Sequence, residues 1–451
     1  MVNLFTCQSL NIKLITNRKS LNIKIIMKQI FIASFLMTVA VASQAQVTAN
    51  NELKSFINQS FSYFPRIKEV ENTVTTSKQK LDVSSINSPT VDASVAYRFV
   101  EPKIQIPLGG QEFQFAPIHN LDGHADVNYL LFDFGKLKAN IERSKTDIQY
   151  AEHNVTFAKY QLASQVSTIY YSVVFLQHAI SIQDSVLSFL GENKTFVENK
   201  YKNGDALKID ILNIQTQIDA EQNRKVDLQN SLQKQLNLLA YTTGQKQTSG
   251  NAFEFDIPLK DIEAAIADAQ ANNPDFLLAK DKVKQAQNDL AITQLGNKPS
   301  VFVGAEAGAK NGYVPAVNEI KFNYNAGIAL KIPIYEGGRT KKQVALSQTL
   351  VKQNELAIET LNSSYRKDLE QALTDLSSNL ERIKNTEGQI DQAKYANKLA
   401  ESRFQNGVGT NLELTNASTN LQRAELSKLQ YQYQFCLAKV ELARLMGYKY
   451  W

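Results

Sequence analysis

The chain has 451 residues, 49 Lys and Arg against 44 Asp and Glu, 43% apolar residues and a mean hydropathy of −0.29. That apolar fraction can build a core, which excludes a wholly disordered chain. Two cysteines without a C-x-x-C exclude a disulfide framework and a thiolate zinc site. Five basic residues and no acid lie within residues 1–45, so 44 basic and 44 acidic residues cancel in the remainder. A nucleic-acid role thereby loses its main electrostatic support.

Lys28 is followed by an apolar run from Ile30 to Ala42 and then Ser43-Gln44-Ala45. A charged start, a short apolar run and a small-x-small site predict a secretory signal peptide over 1–45, with Met27 as a possible true start. The run is short for a membrane anchor. No cysteine follows the cleavage site to carry a lipid, and Cys436 reads as a buried helix residue. No later apolar stretch reads as a transmembrane helix, so the exported chain is expected to be soluble, peripheral or part of a β-barrel.

Length alone corresponds to about three ordinary domains, but the prolines divide the chain differently. None occurs from 118 to 257 or from 334 to 451, and both windows are rich in Leu, Ala, Gln, Lys and Glu. Proline breaks helix interiors, so these windows predict long helices. Within the first, Leu162, Val166, Ile169, Val173, Leu176 and Ile180 form a heptad seam. The Pro-containing segments alternate instead. Val91, Ala93, Val95, Tyr97 and Phe99 oppose Thr90, Asp92, Ser94, Ala96 and Arg98. Residues 301–307 and 322–334 alternate in the same way, and residues 123–133 are mixed, with Ala125, Val127, Tyr129 and Leu131 on one face, which together predicts four amphipathic strands in two pairs. The segments 100–120 and 309–319 read as the loops between them.

The chain also repeats itself. Leu130-Leu131-Phe132-Asp133-Phe134-Gly135-Lys136 resembles Pro333-Ile334-Tyr335-Glu336-Gly337-Gly338-Arg339 at an offset of 203. Lys200-Tyr201-Lys202-Asn203-Gly204 matches Arg403-Phe404-Gln405-Asn406-Gly407 at the same offset, as does Gly244 with Gly447. Three landmarks in one register indicate duplication, with repeats at 46–244 and 245–451. Each repeat reads as a helix, a strand pair, a helix of about 68 residues, a reversal and a second helical run. A helix of that length spans roughly 100 Å and must bury its seam along its whole course. At Asn203-Gly204 and Asn406-Gly407 both residue types tolerate positive φ, which suits a tight αα-hairpin. The fold class is therefore mainly α with a small β part: long antiparallel helical hairpins plus four strands. Four strands cannot close a barrel, for which eight is about the minimum. Closure demands several chains.

These features resemble the TolC-like outer membrane efflux protein family. The resemblance is carried by the two strand-to-helix turns at Gly135 and at Gly337-Gly338, and by the Asn-Gly turns with Ile209-Asp210-Ile211-Leu212 and Leu412-Glu413-Leu414 after them. Gly244, Gly447, Ser88-Pro89 and Lys298-Pro299 complete it over about residues 50–450. It implies a homotrimer with a twelve-stranded barrel among outer-membrane lipid and a helical α-barrel in the periplasm. It also implies a periplasmic adaptor and an inner-membrane transporter as partners. Such a protein is a passive duct without cofactor or catalytic site, and no nucleotide loop, metal constellation or Gly-x-Ser-x-Gly turn occurs in the sequence. By the same resemblance Asp210 and Glu413 would ring the periplasmic gate, while Asn203, Gly204, Asn406 and Gly407 would form the tip and dock the adaptor. The residues alone allow another reading. Thr410 and Glu413 have capping-box spacing, and either acid offsets a helix dipole. Gly409 and Asn411 stand without a basic neighbour after the turn, so an ionic latch is not expected. The competing readings are a soluble periplasmic coiled-coil adaptor and a structural stalk.

Overall fold

A computed structural model describes residues 47–247, 250 and 252–451. The segment 1–45, read above as a signal peptide, lies outside the described residues. The repeat begins with two short helices, α1 (Asn51–Tyr63) and α2 (Pro65–Ser85). The Asn50 side chain accepts from Glu52 N–H, and Pro65 supplies the first residue of α2 with its φ already set. The second repeat follows the same plan in α5 (Ile262–Asn272) and α6 (Pro274–Gln294), capped by Asp261 and Asn273.

Strands β2 (Thr90–Phe99), β5 (His119–Phe132), β7 (Ser300–Lys310) and β8 (Lys321–Lys331) make one antiparallel sheet in the order β2-β5-β7-β8. Both repeats thus contribute a pair to one sheet, with a bulge between Leu130 and Phe132. A two-residue pair, β1 (Thr48–Ala49) with β6 (Phe255–Asp256), ties the start of the described chain to the segment before α5. The segment read as a loop at 100–120 contains a further hairpin, β3 (Gln105–Leu108) and β4 (Gln111–Gln114). Gly109 and Gly110, at φ 61° and 88°, supply its turn. The adjacent pair Gly109-Gly110 was the sequence signal for it.

Four long helices follow: α3 (Lys136–Lys202) and α4 (Lys208–Thr243) in the first repeat, α7 (Arg339–Gln405) and α8 (Asn411–Met446) in the second. The two long members have 67 residues each and the two shorter ones 36 each. At 1.5 Å per residue the long helices reach about 100 Å from the sheet.

The heptad seam is buried over Leu162, Val166, Ile169, Val173 and Leu176, which are at most 7% exposed, while its sixth member, Ile180, is only partly buried. It recurs 203 residues later as Tyr365, Leu369, Ala372, Leu376 and Asn379, all buried. Around the first seam, Tyr170, Tyr171, Val174, Leu239, Phe276, Leu445 and Met446 form the main core with Leu53 and Ile57 of α1. Cys436 lies in it, and burial pushes its thiol up to about 12. One 18-residue window of α3 has a mean hydropathy of 1.4 and is long and apolar enough to cross a membrane, which the reading of the sequence overlooked. Its seam side chains pack inside the protomer instead.

The strand faces separate as alternation requires. Val91, Val95, Tyr97, Phe322, Tyr324, Ile328 and Leu330 are exposed on one face. Apolar side chains on an unpacked sheet face are costly in water and are the normal surface of a strand in lipid.

Candidate functional site at the helical tip

The far ends of the helices meet in a small core of their own. Val197 of α3, Ile214 of α4, Phe404 of α7 and Leu414 of α8 are buried together, so one residue from each helix closes the tip. Both reversals use one device. The N–H of Asp205 returns to the Lys200 carbonyl at 2.9 Å, and that of Val408 to the Arg403 carbonyl at 3.0 Å. Such wrapped helix ends need a left-handed residue, supplied by Gly204 at φ 83° and Gly407 at φ 75°. The asparagines do not share this conformation. Asn203 has φ −88° and Asn406 φ −82°, so they extend the helical geometry by one residue. Asn406 caps the helix end by donating from Nδ2 to the Ser402 carbonyl at 2.8 Å. The expectation of positive φ holds for the glycines alone.

Asp210 and Glu413 are each the third residue of their helix. They complete complementary halves of one capping pattern. Asp210 Oδ2 accepts from the Leu207 backbone N–H at 3.1 Å, so this acid caps its helix although Leu207 has no hydroxyl. At the second turn Thr410 Oγ1 accepts from the Glu413 N–H at 3.2 Å. The Glu413 carboxylate lies 3.8 Å from Arg403 Nη2, with both side chains half exposed. A basic partner is therefore present, contrary to the reading from Gly409 and Asn411. It precedes the turn instead of following it.

Lys200 joins the two hairpins. Its Nζ donates to the Phe404 carbonyl at 3.0 Å and lies 4.9 Å from the ring centres of both Phe196 and Phe404. A cation held over two rings and on a carbonyl is well placed to resist separation of the hairpins. Asn193 adds a second tie, donating to Asn411 Oδ1 at 2.8 Å. Sequence reasoning missed Lys200 because its aromatic partners lie on different helices. Between the hairpins is a cavity of about 600 Å³, lined among others by Lys200, Asp205, Asp210, Asn406 and Gly407. Asn203, Gly204 and Glu413 are not among its lining residues.

Gly135, Gly337 and Gly338 lie at the opposite ends of the long helices and not at this site. Gly135 (φ 96°) and Gly338 (φ 76°) precede their helices in left-handed conformation. Asp133 Oδ1 accepts from Gly135 N–H at 3.0 Å. Phe134 matches Gly337 across the repeat and takes the same left-handed form at φ 56°.

An antiparallel sheet with an exposed apolar face, seated on helical hairpins about 100 Å long, is the architecture of an outer-membrane exit channel. The comparisons agree. The chain belongs to the outer membrane efflux protein family, whose profile matches residues 117–245 and 265–448. It is 22% identical to the outer membrane protein TolC of Vibrio cholerae over 324 residues, covering 68% of this chain and 72% of that protein. It is 20% identical over 328 residues to the outer membrane efflux protein BepC of Brucella suis, covering 71% of each. The crystal structure of the outer membrane protein VceC from Vibrio cholerae superposes with a TM-score of 0.73 at 17% identity, covering 88% of this chain and 97% of that one. The protein is an outer-membrane efflux channel, and the soluble-adaptor and stalk readings are set aside.

Proposed function

We propose that three copies of the chain close their four-stranded sheets into a twelve-stranded barrel, with the helices forming a tunnel across the periplasm. The observation that carries this is the sheet itself: four strands, two open edges and an exposed apolar face. Unpaired strand edges in hydrocarbon leave backbone groups without partners, which only closure removes. Closure needs other chains, because four strands cannot enclose a lumen. The duct is passive. It takes cargo from an inner-membrane transporter through a periplasmic adaptor docked at the Asn203-Gly204 and Asn406-Gly407 turns, and it performs no catalysis. The repeat boundaries at 46–244 and 245–451 divide each protomer into two staves of the same plan.

In this reading the tip is the gate. Threefold repetition brings Asp210 and Glu413 into a carboxylate ring that favours cations. Lys200 ties the first hairpin to the second in the narrow state, and the Arg403–Glu413 pair holds the two arms of the second hairpin at its turn. The test is single-channel recording from purified protein in a planar bilayer, comparing the native chain with Asp210→Ala/Glu413→Ala. The expected result is discrete channels whose cation preference weakens in the double variant. Protein that forms no channels and stays soluble without detergent would overturn the duct. Unchanged selectivity would reduce Asp210 to a helix cap and Glu413 to the partner of Arg403.

A further inference from the structure

The polar face of the sheet is layered by charge. Strand pairing sets Asp92 opposite Asp126, Asp126 opposite Glu306 and Glu306 opposite Asn325, so one row crosses all four strands. Four residues further toward the loops, a second row reads Ala96, Asp122, Lys310 and Lys321. Arg98 stands two pairs beyond it on the same face, opposite Asn120. Four residues of strand separate the rows by about 13 Å, more than the ~10 Å over which 0.1 M salt screens a charge. The rows therefore act on a passing ion as separate layers.

Hydrogen bonds fix the layers in place. His124 sits between them, with Nδ1 3.0 Å from Asp122 Oδ1 and Nε2 3.1 Å from Asp126 Oδ2. The same Nε2 lies 3.0 Å from Ser94 Oγ. Asn325 Nδ2 donates to Glu306 Oε2 at 3.0 Å. Among the described residues no lysine or arginine pairs with Asp92, Asp126 or Glu306. In the outer row Lys321 has only a distant partner, Glu319 at 3.9 Å. The helix-side row is thus acidic, and the loop-side row, with Arg98 above it, is basic on balance. The opposite face carries Val91, Val95, Tyr97, Phe322 and Tyr324. With that face in lipid, both rows line the lumen.

We infer that the barrel carries a charge filter of its own, separate from the tip: an acidic girdle at mid-barrel and a basic girdle toward the outer mouth. Opposite layers in series polarise the lumen along its axis. Small cations concentrate at the first girdle and anions at the second, so current passes more readily in one direction. This rests on the closed-barrel reading and deepens it.

The experiment is bilayer recording of the full-length protein in a KCl gradient and in symmetric 0.1 M KCl. It is run with Asp210→Ala/Glu413→Ala as the common background, which removes the acids of the tip. Two variants are added separately: Asp92→Asn/Asp126→Asn/Glu306→Gln, and Lys310→Gln/Lys321→Gln. The background channel is expected to rectify. The acid variant should shift the K⁺/Cl⁻ permeability ratio toward chloride and the lysine variant toward potassium. Each shift should be roughly twofold or more, as expected for an uncompensated charge about 8 Å from the ion in water. Rectification should fall in both. Conducting channels with unchanged ratios and no rectification would overturn the girdles and leave the duct standing. Absence of any channel from the native chain would overturn the barrel and the girdles with it. The lysine pair gives an independent reading should the triple acid variant fail to assemble.

Discussion

The long helices 136–202 and 339–405 have equal length and a common seam, yet they occupy different surroundings. Val166 and Leu369, 203 residues apart, are both fully buried. Beside that seam the first helix buries a second stripe: Ala163, Ser167, Tyr170, Tyr171, Val174 and Ala179. The same positions in the second helix are Arg366, Glu370, Leu373, Thr374, Ser377 and Arg382, of which only Leu373 is apolar. The first helix is the centre of the protomer, with α1, α2, α4, α6 and α8 against it. The second stands at an edge. It exposes Leu346, Leu350, Leu356, Leu380, Tyr395 and Leu399, where the first exposes Tyr201 alone among its large apolar side chains. Duplication preserved helix length and turn positions, because those set where the tip meets its neighbours. It did not preserve the flanks, because only one of the two helices must pack on two sides.

The two helices differ most in the second stripe. Tyr171→Ala removes a fully buried ring whose hydroxyl donates to the Glu254 carbonyl at 2.9 Å, and should cost roughly 3–5 kcal/mol. Thr374→Ala, at the matching position, should stay within about 0.5 kcal/mol. Denaturant unfolding followed by circular dichroism in detergent measures both, and equal losses would refute the central-and-edge assignment.

The closing glycines give the next effect. A Cβ on Gly447 would lie 2.5 Å from the Asn273 backbone nitrogen, whereas one on Gly407 meets nothing within 4 Å. Gly407→Ala should cost only the left-handed conformation, about 1–2 kcal/mol, and Gly447→Ala clearly more in the same assay.

Leu346→Ser with Tyr395→Ser should leave protomer unfolding within about 0.5 kcal/mol while raising the fraction of single chains on native mass spectrometry. Unchanged assembly would mean that the exposed stripe of α7 is not a contact.

At the tip, Thr410→Ala should cost about 1 kcal/mol by removing the cap of its helix. Leu207→Thr should recover a cap of that kind at the first turn, where Leu207 has no hydroxyl.

The smallest effect concerns Cys436. Its thiol, ordinarily near 9.0, is held protonated up to about 12 by burial. A maleimide should leave it unlabelled at pH 8 and label it fully after unfolding. Above pH 9 the unfolded chain ionises this thiol and the folded one does not, so its contribution to stability falls as pH rises.

What the sequence disclosed follows the same division. Turn glycines, the proline-free windows and the first seam are local patterns, and all are present in the fold. The second seam was hidden because Ala372 and Asn379 interrupt its apolar spacing. They are buried through the geometry of the helix pair and not through their own hydrophobicity. At the tip the acids were legible as third residues of helices. Their partners were not: Lys200 reaches Phe404 across 204 positions of sequence, and the Arg403–Glu413 pair depends on how the turn folds back. The left-handed Phe134 could be anticipated only from its alignment with Gly337.

The number of chains in the folded particle decides whether the barrel closes. Light scattering of detergent-purified protein, corrected for bound detergent, should give three copies of the chain. A stable single chain, folded and retaining its sheet, would contradict closure of the barrel and the duct built on it.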